Sequence, residues 1–397
     1  MSESPGVGYG TLSFTVKRVW LAQLVEWALA AVPSGAPTLP VNGCLKVTVS
    51  PERLRVAAAG QQTAVFAEML AVKSKSEGSV FLPPRKLREM LATAPDGDVT
   101  ISVKGLSARV TAGPASWSLR LPGPEGHIGL PDLSAAEFAE TGREPLLSAL
   151  QAVRHAAGRD SGRPQFNQVR IEESGGLMYA TATDSSQFSR APVPGFPFPV
   201  SVPLAALDDL LKLLSKNQDD TVAVAESGSH VVFRVGPVTL AAARGGKAFP
   251  DVEEMFLRPV AGHDRVLRAD RADVTQALRR VRINSDSATS AIALIIGAAG
   301  GGAALTVMSK DKNGNSAEEA VPVSGRSGDW AGERLVVVNA GFLDAMLAVY
   351  PSPACEFRLG PDRGVVRSPL LLVDDAAKVT GICPQMPPRL VGYEERS

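Results

Sequence analysis

Val80-Phe81-Leu82-Pro83, with Leu87, Met90 and Leu91 after it, is the stretch on which the fold turns, because its layout returns twice. The second copy is Val200-Ser201-Val202-Pro203 with Leu207, Leu210 and Leu211. The third is Val336-Val337-Val338-Asn339 with Leu343, Met346 and Leu347. In each, a β-rich run leads into apolar residues at i, i+3 and i+4, which share one face of a helix. Pro83, Pro203 and Asn339 suit a helix entry, where proline needs no N–H partner and asparagine caps. The copies recur roughly 130 residues apart, the size of one small domain.

Reading outward, each repeated helix leads into an alternating hairpin. These are Asp98–Val103 with Leu106–Thr111, Thr221–Ala225 with His230–Val235, and Cys355–Leu359 with Gly364–Arg367. Upstream of each lies a second helix: Val19–Val32, Glu144–Ala157 and Arg271–Arg282. Each is followed by another strand pair: Leu45–Val49 with Leu54–Ala58, Val169–Glu172 with Leu177–Ala182, and Ile292–Ile296 with Ala304–Met308. Strand, helix, hairpin, helix, hairpin therefore recurs three times. That order predicts an α+β fold rather than a doubly wound parallel sheet. It places three domains at residues 11–136, 137–262 and 263–397, with linkers near Gly123–Ala136 and Leu257–Asp264.

Composition excludes several function classes. At 397 residues, with 45% hydrophobic and 21% charged residues, the chain is an ordinary globular one. Lys+Arg and Asp+Glu both number 41, so bulk positive charge cannot be what attracts a nucleic acid, although a local basic surface can. The three cysteines, Cys44, Cys355 and Cys383, form no CxxC pair. This fits a reducing cytosol and argues against a disulfide framework or a cysteine-rich zinc site. No signal-peptide pattern opens the chain, and no apolar run reaches the ~20 residues that span a bilayer. The glycine stretch Gly297–Gly302 lacks the Lys-Ser/Thr ending of a P-loop and reads as a hairpin turn. None of the four histidines, His127, His155, His230 and His263, pairs at metal-ligand spacing, and no GxSxG surrounds Ser185 or Ser186. No catalytic constellation, metal site or cofactor motif emerges. The rival reading, an enzyme assembled from scattered carboxylates, has no motif behind it.

Basic residues show more order. Arg85, Lys86 and Arg88 lie on the first repeated helix, off its apolar face, and Lys212 and Lys216 extend the second, four apart. Arg279, Arg280 and Arg282 crowd the end of the third upstream helix, and Arg154, Arg159 and Arg163 follow another. Any one cluster is most simply a solvated face. Their recurrence in several repeats points to a surface for DNA phosphates, which position a duplex without reading its sequence.

Four short motifs, in order, resemble the bacterial sliding clamp, the beta subunit of the replicative DNA polymerase: Pro37-Thr38-Leu39-Pro40, Ala182-Thr183-Asp184, Phe249-Pro250-Asp251 and Met386-Pro387-Pro388-Arg389-Leu390. The resemblance runs from about Leu12 to Leu390. It implies three tandem clamp domains and a head-to-tail homodimer closing a six-domain ring around duplex DNA. The ring would tether a polymerase and repair proteins and be opened by a separate loader, with no chemistry of its own and no membrane contact. It further implies a dimer contact through the edge Ala115–Leu121, with Trp117 and Leu119 meeting Ile283 of a second copy. Its partner-peptide pocket maps onto Phe166, Thr183, Ser185, Ser186, Gln187, Phe188, Pro250, Met255, Met386, Pro387, Pro388, Arg389 and Leu390. An apolar cleft of this kind takes a short peptide bearing glutamine and bulky apolar residues. The chain departs from the family where Ser185-Ser186-Gln187-Phe188 replaces Gly-His-Arg-Leu, where Ala36 replaces a common arginine, and where Val391–Ser397 extends past the usual end to cover or crowd the pocket. An alternative within the same fold is therefore a second, divergent clamp serving a specialised polymerase or phage, or evading an inhibitor.

Overall fold

The computed structural model describes residues 9–392, apart from 34, 52, 61, 71, 72, 75, 161, 245–247, 300, 301, 329, 331–333 and 361–367. Six helices of ten or more residues occur among them: α1 (Arg18–Ala28), α2 (Pro84–Thr93), α3 (Arg143–Arg154), α4 (Leu204–Lys216), α5 (Arg271–Val281) and α6 (Ala340–Val349). The rest is antiparallel sheet, short helical turns and loops. The chain divides into two compact units, Met1–Arg143 with Ala205–Arg244 and Glu144–Leu204 with Gly245–Ser397.

The first unit holds two sheets. One has five strands, ordered Lys73–Ser74, Tyr9–Lys17, Asp98–Gly105, Ser107–Ala112 and Ala115–Arg120. The other has eight, in which Val238–Ala243 pairs with Thr63–Leu70 through Val238 opposite Ala67 and Ala242 opposite Thr63. Leu45–Ser50 alternates buried and half-buried residues along its length, the period-two pattern of a strand with one face on a core. α1 buries Leu21, Leu24, Val25 and Ala28, and α2 buries Leu87 and Leu91. α1 packs on α2 and on the strands Arg53–Ala59 and Thr63–Leu70.

The second unit repeats the plan with a nine-stranded and a four-stranded sheet. In the larger one, Phe188–Pro192 pairs with Val379–Cys383, Phe188 opposite Ile382 and Arg190 opposite Thr380. In the smaller, Ala291–Ala299 lies between Gly302–Lys310 and Arg334–Asn339, and Ser316–Val321 is a terminal strand. α5 packs on α6 and on the strands Gly302–Lys310 and Ser316–Val321.

Most expected elements fall where the pattern puts them, to within a turn at their ends. Three details differ. Each expected hairpin continues into a further strand, such as Phe188–Pro192 or Val238–Ala243, whose apolar residues are too few or too continuous to stand out by alternation; Ala115–Arg120 lies where the resemblance places an edge. Ala354–Leu359 pairs with Leu370–Asp374, whereas its expected partner, Gly364–Arg367, lies outside the described residues. The start of the expected linker Leu257–Asp264 is helical instead: Glu253–Leu257 and Arg258–Val260 form short turns. Val252, Phe256 and Val260, spaced by four, bury one face of that segment.

Helix entry is under explicit side-chain control at two sites. The Asp270 carboxylate accepts the N–H groups of Ala272 and Asp273 at 2.8 and 3.1 Å. Asn339 Oδ1 accepts those of Gly341 and Phe342 at 2.8 and 3.2 Å. A capping side chain of this type contributes about 1 kcal/mol. Asn339→Ala is expected to lower the unfolding free energy by ~1 kcal/mol in urea titrations, with Asn339→Asp retaining most of it.

Candidate functional site

The segment Thr183–Gln187 joins the strands Leu177–Thr183 and Phe188–Pro192, and its own side chains shape it. Asp184 Oδ1 accepts the N–H groups of Ser186 and Gln187 at 2.8 and 2.9 Å. Thr183 Oγ1 accepts from Ser185 N–H at 3.0 Å and donates to the Gln187 carbonyl at 2.6 Å. This tight fold places Ser185 at φ +82°, in the left-handed region that costs a side-chain-bearing residue roughly 1–2 kcal/mol. It is the position where the resemblance leads one to expect glycine.

Arg163 is turned onto this loop. Its Nη1 donates to Ser185 Oγ at 2.7 Å, its Nε to Asp160 Oδ2 at 3.2 Å, and its guanidinium lies 5.5 Å from the centre of the Phe166 ring. Gln187 is buried at 6% exposure, and its Nε2 donates to Asp184 Oδ2 at 3.0 Å. Its buried Oε1 has no hydrogen-bond donor among the described residues. Phe188 is fully buried and stacks on Phe256, centroids 5.0 Å apart, among Val252, Val260, Leu371, Val373 and Ile382. It therefore underlies the site rather than lining an open surface. Pro250 is half-buried and Met255 exposed on the flanking turns.

The strand Val379–Cys383, paired to Phe188–Pro192, leads into Met386–Leu390. The Met386 N–H donates to the Val337 carbonyl at 2.7 Å, so the tail adds one rung to the strand Arg334–Asn339. Met386 and Leu390 are half-buried against Ala291, Ala293 and Val337, Pro388 is buried, and Pro387 and Arg389 are exposed. The Asp184 carboxylate lies close enough to the Cys383 thiol to add to the effect of burial, which pushes that thiol up to about 12. The loop and the root of the tail thus belong to one neighbourhood.

The basic residues divide differently from their grouping in the sequence. Arg163 stands with the loop. Arg280 is held by both carboxylate oxygens of Glu319, through Nε at 2.7 Å and through Nη2. Arg282 meets Asp344 at 3.1 Å and Arg279 the same carboxylate at 3.9 Å, so a phosphate would compete with Glu319 and Asp344 for these three cations. Lys212 pairs with Asp209 at 3.2 Å. Arg85 and Lys86 are exposed on α2, Arg159 is exposed and Arg154 half-buried. Arg88, tied to Glu26 at 3.1 Å, borders with Lys216, Arg18 and Trp27 a groove of about 430 Å³. Arg18 and Trp27 escaped the sequence reading because Arg18 lies outside the repeated basic clusters and Trp27 off the buried stripe of Leu21, Leu24, Val25 and Ala28.

Two sheet edges complete the inventory. Ala115–Arg120 ends the five-stranded sheet, with Trp117 half-buried and Leu119 buried on its inner face, and Ser316–Val321 ends the four-stranded one. Ile283, just after α5, is 80% exposed. Among the described residues no three His, Cys, Asp or Glu side chains are grouped so as to hold a metal ion, and no helix is long and apolar enough to cross a membrane.

Residues 12–127 match the family of the DNA polymerase III beta subunit, N-terminal domain. The chain is 28% identical to the beta sliding clamp of Streptomyces coelicolor over 55% of its own length and 59% of that protein's. It is 23% identical to that of Synechocystis over 85% and 90%. Its fold matches the crystal structure of the C. crescentus beta sliding clamp with a TM-score of 0.84, covering 96% of this chain and all of that one at 21% identity. The chain is similar to beta sliding clamps in sequence and shares their fold. Its sheets and helices are those of the clamp fold, and the loop Thr183–Gln187 and the tail Met386–Leu390 are where its sequence carries the family motifs.

His155, just after α3, read in the sequence only as one of the basic residues that follow that helix. It borders a cavity of about 620 Å³ with Arg154, Ser148 and Pro192. Burial pushes its imidazole down to about 4, against smaller upward pulls from Asp184 and the Ala152 backbone. The unfolded chain, at about 6.5, therefore takes up the proton first. The stability gained by keeping His155 neutral is complete above about pH 6.5 and is lost as the pH falls through about 4. One pKa unit corresponds to ~1.4 kcal/mol, so wild type is expected to lose up to about 3 kcal/mol more than His155→Gln between pH 7 and pH 4. Urea unfolding of both proteins at several pH values measures this, and parallel curves would exclude it.

Proposed function

We propose that the chain is a sliding clamp: two copies close head to tail into a ring on duplex DNA and hold a polymerase or repair enzyme to its template through a short peptide. The observation that carries this reading is the chain-long correspondence of fold with the C. crescentus clamp. Each copy contributes three domains, residues 11–136, 137–262 and 263–397. The packing of α1 on α2 and of α5 on α6, at corresponding places in the repeat, supports that division. Closure uses Ala115–Arg120 of one copy and Ser316–Val321 of the next, two strands that each end a sheet. Such a contact joins different surfaces of the two copies, and rotation closes it into a ring. Exposed cations on the helices take DNA phosphates without reading sequence, and the chain performs no chemistry. A separate loader opens the ring.

One chain weighs 41.5 kDa, so light scattering is expected to give twice that mass, and Ile283→Asp to shift it towards one chain. A wild-type protein that stays at the single-chain mass at all concentrations would remove the ring. The partner cleft is tested by fluorescence anisotropy with a labelled peptide bearing one glutamine and two bulky apolar residues.

A second reading, a specialised clamp with restricted partner access, is favoured by one observation: Ser185 holds Arg163 across the loop that borders the cleft. Ser185→Gly removes the left-handed strain and releases Arg163. It is expected to stabilise the protein by about 1 kcal/mol and to tighten peptide binding several-fold. Unchanged affinity would count against restricted access.

A further inference from the structure

The resemblance makes Leu390 the customary end of a clamp, and the extension Val391–Ser397 was expected to cover or crowd the pocket; of it, residues 393–397 lie outside the described residues. Val391 does neither. It is 1% exposed, inserted among Ala291, Ala293 and Val337 on the four-stranded sheet. Along the strand Ala291–Ala299 the side chains alternate, so Ala291 and Ala293 face away from Ile292, Leu294 and Ile296, which belong to the other face. Two alanines in succession on one face leave a notch the depth of a small branched side chain, and Val391 fills it. Gly392 closes the turn. Its φ is +75°, its N–H donates to the Arg389 carbonyl at 3.2 Å, and a Cβ on it would stand 2.8 Å from Lys310 Cδ. The positive φ favours glycine here, and the Lys310 stem lies close across it.

We infer that Val391 and Gly392 form a clasp that fixes the rim of the partner cleft, making Val391 a positioning residue for peptide binding that the peptide itself does not touch. This rests on the cleft reading proposed above. Met386 and Leu390 share the same apolar cluster as Val391, and the Met386 N–H is tied to Val337. With Val391 in its notch, the short helical turn Pro388–Val391 is anchored at both ends. Without it, Met386–Leu390 keeps the Met386–Val337 hydrogen bond at one end but loses the anchor at the other, and a peptide must order the rim as it binds. Ordering a segment on binding weakens affinity without removing a contact.

The full chain carrying Val391→Ser, and the same chain with Val391→Ile, test the clasp by two readouts. Hydrogen exchange reads the Met386 amide, and anisotropy reads the Kd of the labelled peptide. Val391→Ser is expected to lose most of the Met386 protection and to weaken the peptide about tenfold, with the solution mass unchanged, and Val391→Ile to restore both. Retained protection in Val391→Ser overturns the clasp. Lost protection with unchanged Kd overturns the positioning role. A wild-type protein that binds no such peptide overturns the cleft reading, while exchange at Met386 still decides whether Val391 holds the tail.

Discussion

Two short ladders of backbone hydrogen bonds hold this chain's architecture together, one between Val238–Ala243 and Thr63–Leu70 and one between Phe188–Pro192 and Val379–Cys383. Each joins strands far apart in sequence and carries a sheet past a boundary that the repeat would place between domains. An edge strand exposes a row of unpaired N–H and C=O groups, and pairing one edge with the next satisfies them while extending a single sheet. The middle third of the chain is therefore shared out: its strands Thr221–Ser227, His230–Val235 and Val238–Ala243 belong to one compact unit, and Gln168–Ser174, Leu177–Thr183 and Phe188–Pro192 to the other.

The candidate cleft depends on the second of these ladders. Pairing of Phe188 with Ile382 brings the Thr183–Gln187 loop to the root of the C-terminal tail, although about 200 residues separate them in the chain. Phe188 is consumed in making this junction, stacked on Phe256 and closed off from solvent. Replacing a smaller residue with phenylalanine at such a point adds apolar burial beneath the site, and the loop above compensates with polar contacts of its own. Asp184, Thr183 and Gln187 are almost wholly engaged in holding one another. What stays at the surface around them is the periphery: half-buried Pro250, exposed Met255 and Arg163, and the tail.

The charge distribution follows the same logic of local satisfaction. Equal numbers of acidic and basic residues leave no bulk field, and many helix cations are matched by a carboxylate within 4 Å. Exposed pairs of this kind contribute little to stability and exchange readily for another anion. A surface of such pairs holds a polyanion loosely, which suits the sliding ring proposed above.

How much of this was legible in the sequence depends on range. Val80–Leu91, Val200–Leu211 and Val336–Leu347 disclosed their helices because helix and strand periodicity are local, and three copies of one layout disclosed a tandem α+β fold. The caps at Asp270 and Asn339 are local too, and Asn339 announced itself. The third strands of the hairpins mostly did not, since a strand such as Val238–Ala243, reading Val-Thr-Leu-Ala-Ala-Ala, is stabilised by its neighbour more than by its own pattern. Arg163 lay among basic residues and read as one of them until the fold set its guanidinium against Ser185 and Phe166. Val391 read as the start of an overhang, because the notch that receives it is made by Ala291 and Ala293, about a hundred residues earlier. The sequence by itself determined which segments become helices and strands, since those choices are made over a few residues. Which sheets fuse, which cations are spent and where the tail lies were decided only in three dimensions, by contacts whose partners no local pattern names.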